Sequence, residues 1–409
     1  MRHRVADVYK AGVLAARLER HGGGTRFSYL PAYLAAGGPA VASSLPLSTE
    51  PVLSAAGAAP PYFTGLLPEG RRLNALRRSV KTSVDDELSL LIAAGANPVG
   101  DVQIVGHGEP LDPDEHAVEL NPKAPVDFDA LLGDSGLIDP VALAGVQDKL
   151  SAGMISMPVA SAGRRYILKL NAPEFPHVVE NELVMFRYAA KLRIPLSRVR
   201  LIRDVEGRPG LLVERFDRIP LAGGAHGAVQ RLAVEDGAQV LGLYPADKYN
   251  VGYGQVCHAL AEYCSAPLPA LRNLAIQAAF AWLSGNGDLH AKNVSMVQQP
   301  SGEWSIAPVY DIPSTVVYGD KTLALTLAGK RTGISRKHFL GWATGLGLAE
   351  RAAVQVLELG LKASGPLVAD LESGTAFAST NDDGASPFSA TVTKSWLKEL
   401  KHRRRLLEG

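Results

Sequence analysis

Apolar residues recur along this chain with two periods, and the change from one to the other organises it. Arg4–Tyr9, Gly12–Leu18 and Arg26–Tyr29 alternate or run apolar, and the breaks at Lys10–Ala11 and Gly22–Gly24 predict a small antiparallel meander. Asn74–Ser79 and Asp85–Ala94 follow with helical spacing, the second through Leu88, Leu91 and Ile92, with Gly95 closing it. The first hundred residues therefore read as one α+β module. From Gly106 to Pro125 periodicity gives way to Gly, Pro, Asp, Glu and His, which predicts a long surface connection.

Strand patterns then return. Leu143–Lys149 and Arg164–Leu170 frame a turn at Ser161–Gly163, and Arg198–Arg203 and Gly210–Phe216 flank another at Gly207–Gly210. Between them Val179–Leu192 is helical, with Glu182, Met185, Phe186 and Ala189 on one face. From Asp236 onward helical spacing dominates. In Leu271–Leu283 the residues Leu274, Ala278 and Trp282 stack along one face, and Gly285 is a left-handed stop. Ser373–Pro387, rich in Ser, Gly, Ala and Asp, is expected to be a mobile loop before a final basic helix. That helix sets Lys394, Lys398, Lys401 and Arg403–Arg405 against an apolar side of Trp396, Leu397, Leu400 and Leu406, and its charges read as a solvated face.

Composition narrows the class of protein. With 409 residues and 46% apolar content the chain can build two or three cores, and a net charge of +1 gives no global pull toward nucleic acid or membrane. Cys257 and Cys264 are too few and wrongly spaced for a zinc set, so buried thiols in a reduced, cytoplasmic setting are expected. No apolar run of about 18 residues occurs, so neither export nor membrane insertion is expected.

Chemistry concentrates where apolar residues are scarce. Ser284–Gly285–Asn286–Gly287–Asp288–Leu289–His290–Ala291–Lys292–Asn293 lies between an apolar helix and an apolar strand and contains D-x-x-x-x-N. In kinase-type sites the Asp of this spacing accepts the substrate hydroxyl proton and the Asn holds magnesium. By itself the spacing also fits a solvated turn. Val294–Val297 and Trp304–Val309, paired about a turn near Gly302, would return Asp311 to Asn293, and two such oxygen donors suit Mg²⁺. Lys169 in a strand and Glu182 on a helix form either an ordinary structural ion pair or the pair that positions ATP phosphates. Ala144, Gly145, Val146, Gln147, Asp148 and Lys149 make a turn-like stretch matching neither G-x-x-x-x-G-K-[ST] nor G-x-G-x-x-G. Glu214, Arg215, Phe216 and Asp217 are a strand end with solvated charges or, in a two-lobed kinase, the adenine hinge. His290 and His258 lack metal-ligand spacing; His290 could orient the loop or touch nucleotide.

In order and spacing, Ala144–Lys149, Ile167–Leu168–Lys169–Leu170, Asn181–Glu182, Glu214–Arg215–Phe216–Asp217–Arg218, Glu235–Asp236, the Gly287–Asn293 loop and Tyr310–Asp311 resemble the HipA family of toxin serine/threonine kinases. Phe63–Thr64–Gly65–Leu66–Leu67–Pro68–Glu69 and Gly100–Asp101–Val102–Gln103 resemble that family's N-terminal domain. The resemblance implies an α+β, two-domain kinase: an N-terminal domain over 1–105, a linker over 106–125, a β-rich kinase part over 126–217, and a mostly helical part over 218–409. It further implies ATP and Mg²⁺ as cofactors, Asp288 as catalytic base, and Asn293 and Asp311 as metal ligands. Lys169 would meet the phosphates and the Ala144–Lys149 loop would cover them. Glu214, Arg215 and Phe216 would hold adenine, with His290 and Tyr310 flanking the nucleotide. An aminoacyl-tRNA synthetase is the implied protein substrate, and a HipB-like DNA-binding antitoxin, with operator DNA reached mainly through it, the implied partner. The alternative is a non-catalytic co-repressor that binds the antitoxin on operator DNA. One departure stands out: several family members carry an autophosphorylated serine before the phosphate loop, where this chain has Ala142, which has no hydroxyl to modify.

Overall fold

The structure is a computed structural model that describes residues 4–409 except 84, 96, 112–117, 122–123, 136–154, 222–227 and 381–383. Ala142 and the Ala144–Lys149 loop lie outside the described residues, as does the strand expected over Leu143–Lys149.

The predicted meander forms, as Val5–Lys10, Val13–His21 and Gly24–Tyr29 in antiparallel register. Val52–Ser54 adds one edge, and Val102–Gly106 returns to pair with Val5–Lys10 at the other, giving a five-stranded sheet. Helices Pro61–Leu66, Gly70–Val80 and Glu87–Ala94 follow. Phe27, Tyr62, Phe63, Leu88 and Leu91 close a core between helices and sheet. Gly95 ends its helix as expected. Its φ of −78° is right-handed, and a side chain would put Cβ 2.3 Å from the Ile104 carbonyl oxygen, which itself belongs to the returning strand.

The second sheet, also five-stranded, runs in the order Val118–Glu119, Ile155–Ser161, Arg164–Leu170, Pro209–Glu214, Val199–Arg203. Ala162 and Gly163, both at positive φ, make the turn that joins Ile155–Ser161 to Arg164–Leu170. Val118–Glu119, from the stretch read as a connection, pairs parallel to Ile155–Ser161. Helix Val178–Ala189 lies on this sheet, with Val179 packed against Leu211 and Val213.

The helical part has the largest core. Helix Pro267–Ser284 is buried along most of its length and packs with Tyr253–Tyr263, Glu350–Ser373 and Ala390–Glu408. A three-stranded sheet, Val234–Asp236 with Ser295–Gln298 and Trp304–Ile306, carries the expected hairpin, turned at Gly302 with φ +89°. Two expectations fail here. Ser373–Pro387 is not loose in its described part: Ala376 and Phe377 are buried, and the Phe377 ring meets Phe388 and Trp396. Arg403 is not on a solvated face. It is fully buried, donating from Nη1 to the Trp282 carbonyl at 3.0 Å, from Nη2 to the Lys321 carbonyl at 2.7 Å and from Nε to Glu399 at 2.9 Å, with its guanidinium over the Trp282 ring. The loose end of a helix dipole and an aromatic face together explain a buried cation there. Leu407, rather than Leu406, completes the buried stripe.

The N-terminal domain is joined to the second sheet through charge. Asp217 accepts from Arg215 Nη2 at 2.8 Å, from Arg218 Nη1 at 2.6 Å and from the Gly100 amide at 2.9 Å. Both arginines also donate to the Pro98 carbonyl, each at 2.8 Å. Burial would raise the Asp217 carboxyl, but Arg215 and Arg218 hold it well below the usual carboxylate range. Removing one member of such a cluster leaves buried charge unpaired. Asp217→Ala is expected to cost about 3–5 kcal/mol, read as a lower urea midpoint by circular dichroism; an unchanged midpoint would place the hold between domains elsewhere.

Candidate active site

Helix Pro267–Ser284 stops at Gly285, whose φ of +78° turns the chain away. A Cβ there would sit 2.6 Å from Val316 and 2.9 Å from Ser314 Oγ, so only glycine fits both the conformation and the space. The loop then folds on its own polar groups. Asn286 Oδ1 accepts from the Asp288 amide at 2.8 Å, and the Asp288 carbonyl accepts from the His290 amide and from Asn293 Nδ2, both at 2.8 Å. Asp288 and Asn293 are thereby fixed about one backbone carbonyl, with Asn293 in the short 3₁₀ turn Ala291–Asn293. Since the Asn293 NH₂ is committed to that carbonyl, its amide oxygen is the group left for a cation.

The hairpin brings the next segment alongside. The Ala307 amide donates to the Ser295 carbonyl at 2.9 Å, and Tyr310 donates its hydroxyl proton to the Lys292 carbonyl at 2.8 Å while accepting from Ser295 Oγ at 2.5 Å. Asp311, next in the chain, has φ +52°, a left-handed conformation that is uncommon outside glycine. Its carboxylate meets Lys169 Nζ. Lys169 also donates to both Glu182 oxygens, at 2.8 and 2.9 Å, and both side chains are almost fully buried. Burial alone would lower the Lys169 pKa, yet the Asp311 and Glu182 carboxylates together lift it above the ordinary lysine value, so the ammonium stays charged. Asn181, beside Glu182, grips the Ser314 backbone in both directions, at 2.8 and 3.0 Å. The strand lysine, the helix glutamate and Asp311 are therefore one cluster.

Phe216 and Tyr310 face each other at 5.8 Å between ring centroids. Glu214 pairs with Arg164 at 2.5 Å. The Arg215 side chain goes into the contact with Asn97 and Pro98, while its amide donates to the Arg165 carbonyl at 2.9 Å. His290 is buried 3.9 Å from Asp288 Oδ1 and edge-on to Tyr249, and its ring nitrogens find no hydrogen-bond partner among the described residues. Burial first, then the positive charge of Lys248, pushes its pKa well below the usual imidazole value, so the ring is neutral. Among the described residues no group of three or more His, Cys, Asp or Glu side chains is placed to hold a metal. Asn293 and Asp311 supply hard oxygen donors and one carboxylate, a set that suits Mg²⁺ when phosphate and water complete the shell.

Three residues given no role by spacing stand next to this loop. Lys248 and Lys292 both meet Glu69 of the N-terminal domain, Lys292 at 2.7 Å. Lone charges carry no periodic signal, and Glu69 is more than two hundred positions away from Lys292 in the chain.

Comparison with known proteins matches two family descriptions to successive parts of the chain. The family description "HipA N-terminal domain" matches residues 6–105 and "HipA-like C-terminal domain" matches residues 141–363. Y4mE of Sinorhizobium fredii, provisionally named a kinase, is 32% identical over 325 residues, spanning 74% of this chain and 75% of that protein. The serine/threonine-protein kinase toxin HipA of Shewanella oneidensis is 28% identical over 294 residues, 65% of each chain. The solved complex of Shewanella oneidensis HipA with HipB and its operator DNA contains a chain of like fold, with TM-score 0.77, 20% identity, and coverage of 98% of this chain and 97% of that one. No helix among the described residues is long and apolar enough to cross a membrane. Matched in both domains and by a relative across three quarters of its length, the chain belongs to the HipA family, whose relatives are named as kinases.

Proposed function

We propose that this chain is an ATP- and Mg²⁺-dependent serine/threonine protein kinase acting in the cytoplasm as the toxin of a HipBA-type pair. The observation that carries the reading is the Lys169 ammonium held between Glu182 and Asp311, with Asp288 and Asn293 on the adjoining loop. Asp288 is the catalytic base, taking the proton from the acceptor hydroxyl. Asn293 and Asp311 would hold Mg²⁺, and Lys169, kept charged by two carboxylates, would meet the phosphates. Phe216 and Tyr310 would offer an aromatic wall to the adenine, with Glu214 and the Arg215 backbone at its edge. When bound, Mg-ATP supplies the transferable phosphoryl group and neutralises its charge. Neutral His290 beside Asp288 adds no positive charge that would hold the base's proton off.

A HipB-like antitoxin and operator DNA are the proposed partners, supported by the composition of the Shewanella complex. An aminoacyl-tRNA synthetase as substrate rests on the family resemblance. A non-catalytic co-repressor is the competing reading, and the assembled Lys169, Asp288, Asn293 and Asp311 weigh against it.

Asp288→Asn is expected to lower Mg²⁺-dependent transfer of ³²P from ATP at least about 10²-fold, the scale of a general base, while fluorescent ATP analogue still binds. Equal transfer by that variant would remove Asp288 from the chemistry, and no transfer by the wild type with any protein fraction would favour the co-repressor. Asp311→Asn should raise the Mg²⁺ concentration needed for half-maximal transfer; an unshifted Mg²⁺ titration would rule out its ligand role. His290 supplies a pH test. Its unfolded imidazole takes up a proton near pH 6.5 and the buried ring does not, so stability falls as pH drops below that value. Melting temperature between pH 7 and 5 should therefore decline less steeply for His290→Gln, and parallel curves would mean that the ring is solvated.

A further inference from the structure

The N-terminal domain reaches the catalytic loop through the Glu69 carboxylate and the Gly65 carbonyl. Glu69 stands at the start of helix Gly70–Val80, and each of its oxygens meets a different ammonium: Oε2 that of Lys248, Oε1 that of Lys292 at 2.7 Å. Lys292 also donates to the Gly65 carbonyl at 3.1 Å, so the same domain holds it twice. The two lysines bracket the site. Lys292 is in the 3₁₀ turn beside Asn293, and its carbonyl receives the Tyr310 hydroxyl. The Lys248 carbonyl receives the Ala291 amide at 3.3 Å, and the Tyr249 ring next to it packs on His290. The surrounding contact is close: Gln239 Nε2 donates to the Tyr62 carbonyl at 3.1 Å, and a Cβ on Gly65 would sit 3.0 Å from the Gln239 side chain.

We propose that Glu69 is a positioning residue for the catalytic loop, a doubly charged clamp through which the N-terminal domain sets the placement of Asn293 and, with it, of Asp288. The inference rests on the kinase reading for its effect on rate, but the clamp itself does not. Burial would raise the Glu69 carboxyl, yet Lys292 and Lys248 hold it down at about 2, so it is anionic at any working pH. A glutamine has one acceptor oxygen and presents an NH₂ to the second ammonium, so it cannot bridge the pair.

The test compares the full chain with Glu69→Gln, Glu69→Asp and Glu174→Gln. The last breaks the Arg71–Glu174 ion pair, which joins the same N-terminal helix to the body of the protein away from the loop. Hydrogen exchange followed by mass spectrometry should show faster exchange over 288–293 in Glu69→Gln by about ten-fold, the scale of losing one charge-assisted hydrogen bond. Phosphate transfer at saturating ATP should fall by a similar factor, in kcat more than in KM for ATP. Glu69→Asp should recover part of both, and Glu174→Gln should match the wild type in both. Unchanged exchange and kcat in Glu69→Gln would overturn the proposal, as would faster exchange spread evenly over the chain with a matching drop in melting temperature. If the wild type transfers no phosphate, the kinase reading fails alone, and exchange over 288–293 still decides the clamp.

Discussion

One ammonium group, Lys169 Nζ, ties a strand and the helix that follows it to a segment 142 residues further along the chain. It projects from the second sheet, takes Glu182 from the helix laid on that sheet, and takes Asp311 from the segment beyond the hairpin. A buried lysine with no partner would be strongly disfavoured, so the sheet, helix and hairpin must be in register for the charge to be accommodated at all. The positive φ of Asp311 is the local consequence: the chain accepts an uncommon backbone conformation where its carboxylate is needed.

Around that cluster the catalytic loop is held from several directions. Beneath it, helix Pro267–Ser284 ends in a glycine that no larger residue could replace, and buried Arg403 from the last helix caps the Trp282 carbonyl near that end. Behind it, the Tyr310 hydroxyl pins the Lys292 carbonyl. At the front, Glu69 meets two lysines. Buried charge recurs in all of these contacts except the tyrosine, and each charged group has partners from a different domain or helix. Such pairs add little net stability compared with apolar packing, but they admit few alternative arrangements. A loop proposed to present a base and a metal ligand together gains from that restriction.

The domain contacts follow the same logic. Asp217 between Arg215 and Arg218 joins the strand end to the Asn97–Gly100 turn, so the segment carrying Phe216 is placed by the N-terminal domain as well. That domain therefore touches both the segment that carries Phe216 and the loop that carries Lys292.

Much of this was legible in the residues. The meander, the helix carrying Glu182, the helix ending at Gly285 and the hairpin about Gly302 follow from local periodicity and turn chemistry, which depend on neighbours within a few positions. The spacing from Asp288 to Asn293, and the hairpin's return of Asp311, were likewise local. What sequence reasoning missed depends on contacts at long range. That the strand carrying Ile104 packs against Gly95 is one such contact. Arg403 looked like one more solvated charge until neighbours from other elements enclosed it. Glu69 showed nothing by itself. Period and turn type are properties of a short stretch, so the sequence alone determined the elements and the candidate loop. The partner of a charged side chain is a property of whichever surfaces the fold brings together: Glu182 was legible as a partner for Lys169, but that Asp311 joins them, and what meets Arg403 and Glu69, only the tertiary structure decided.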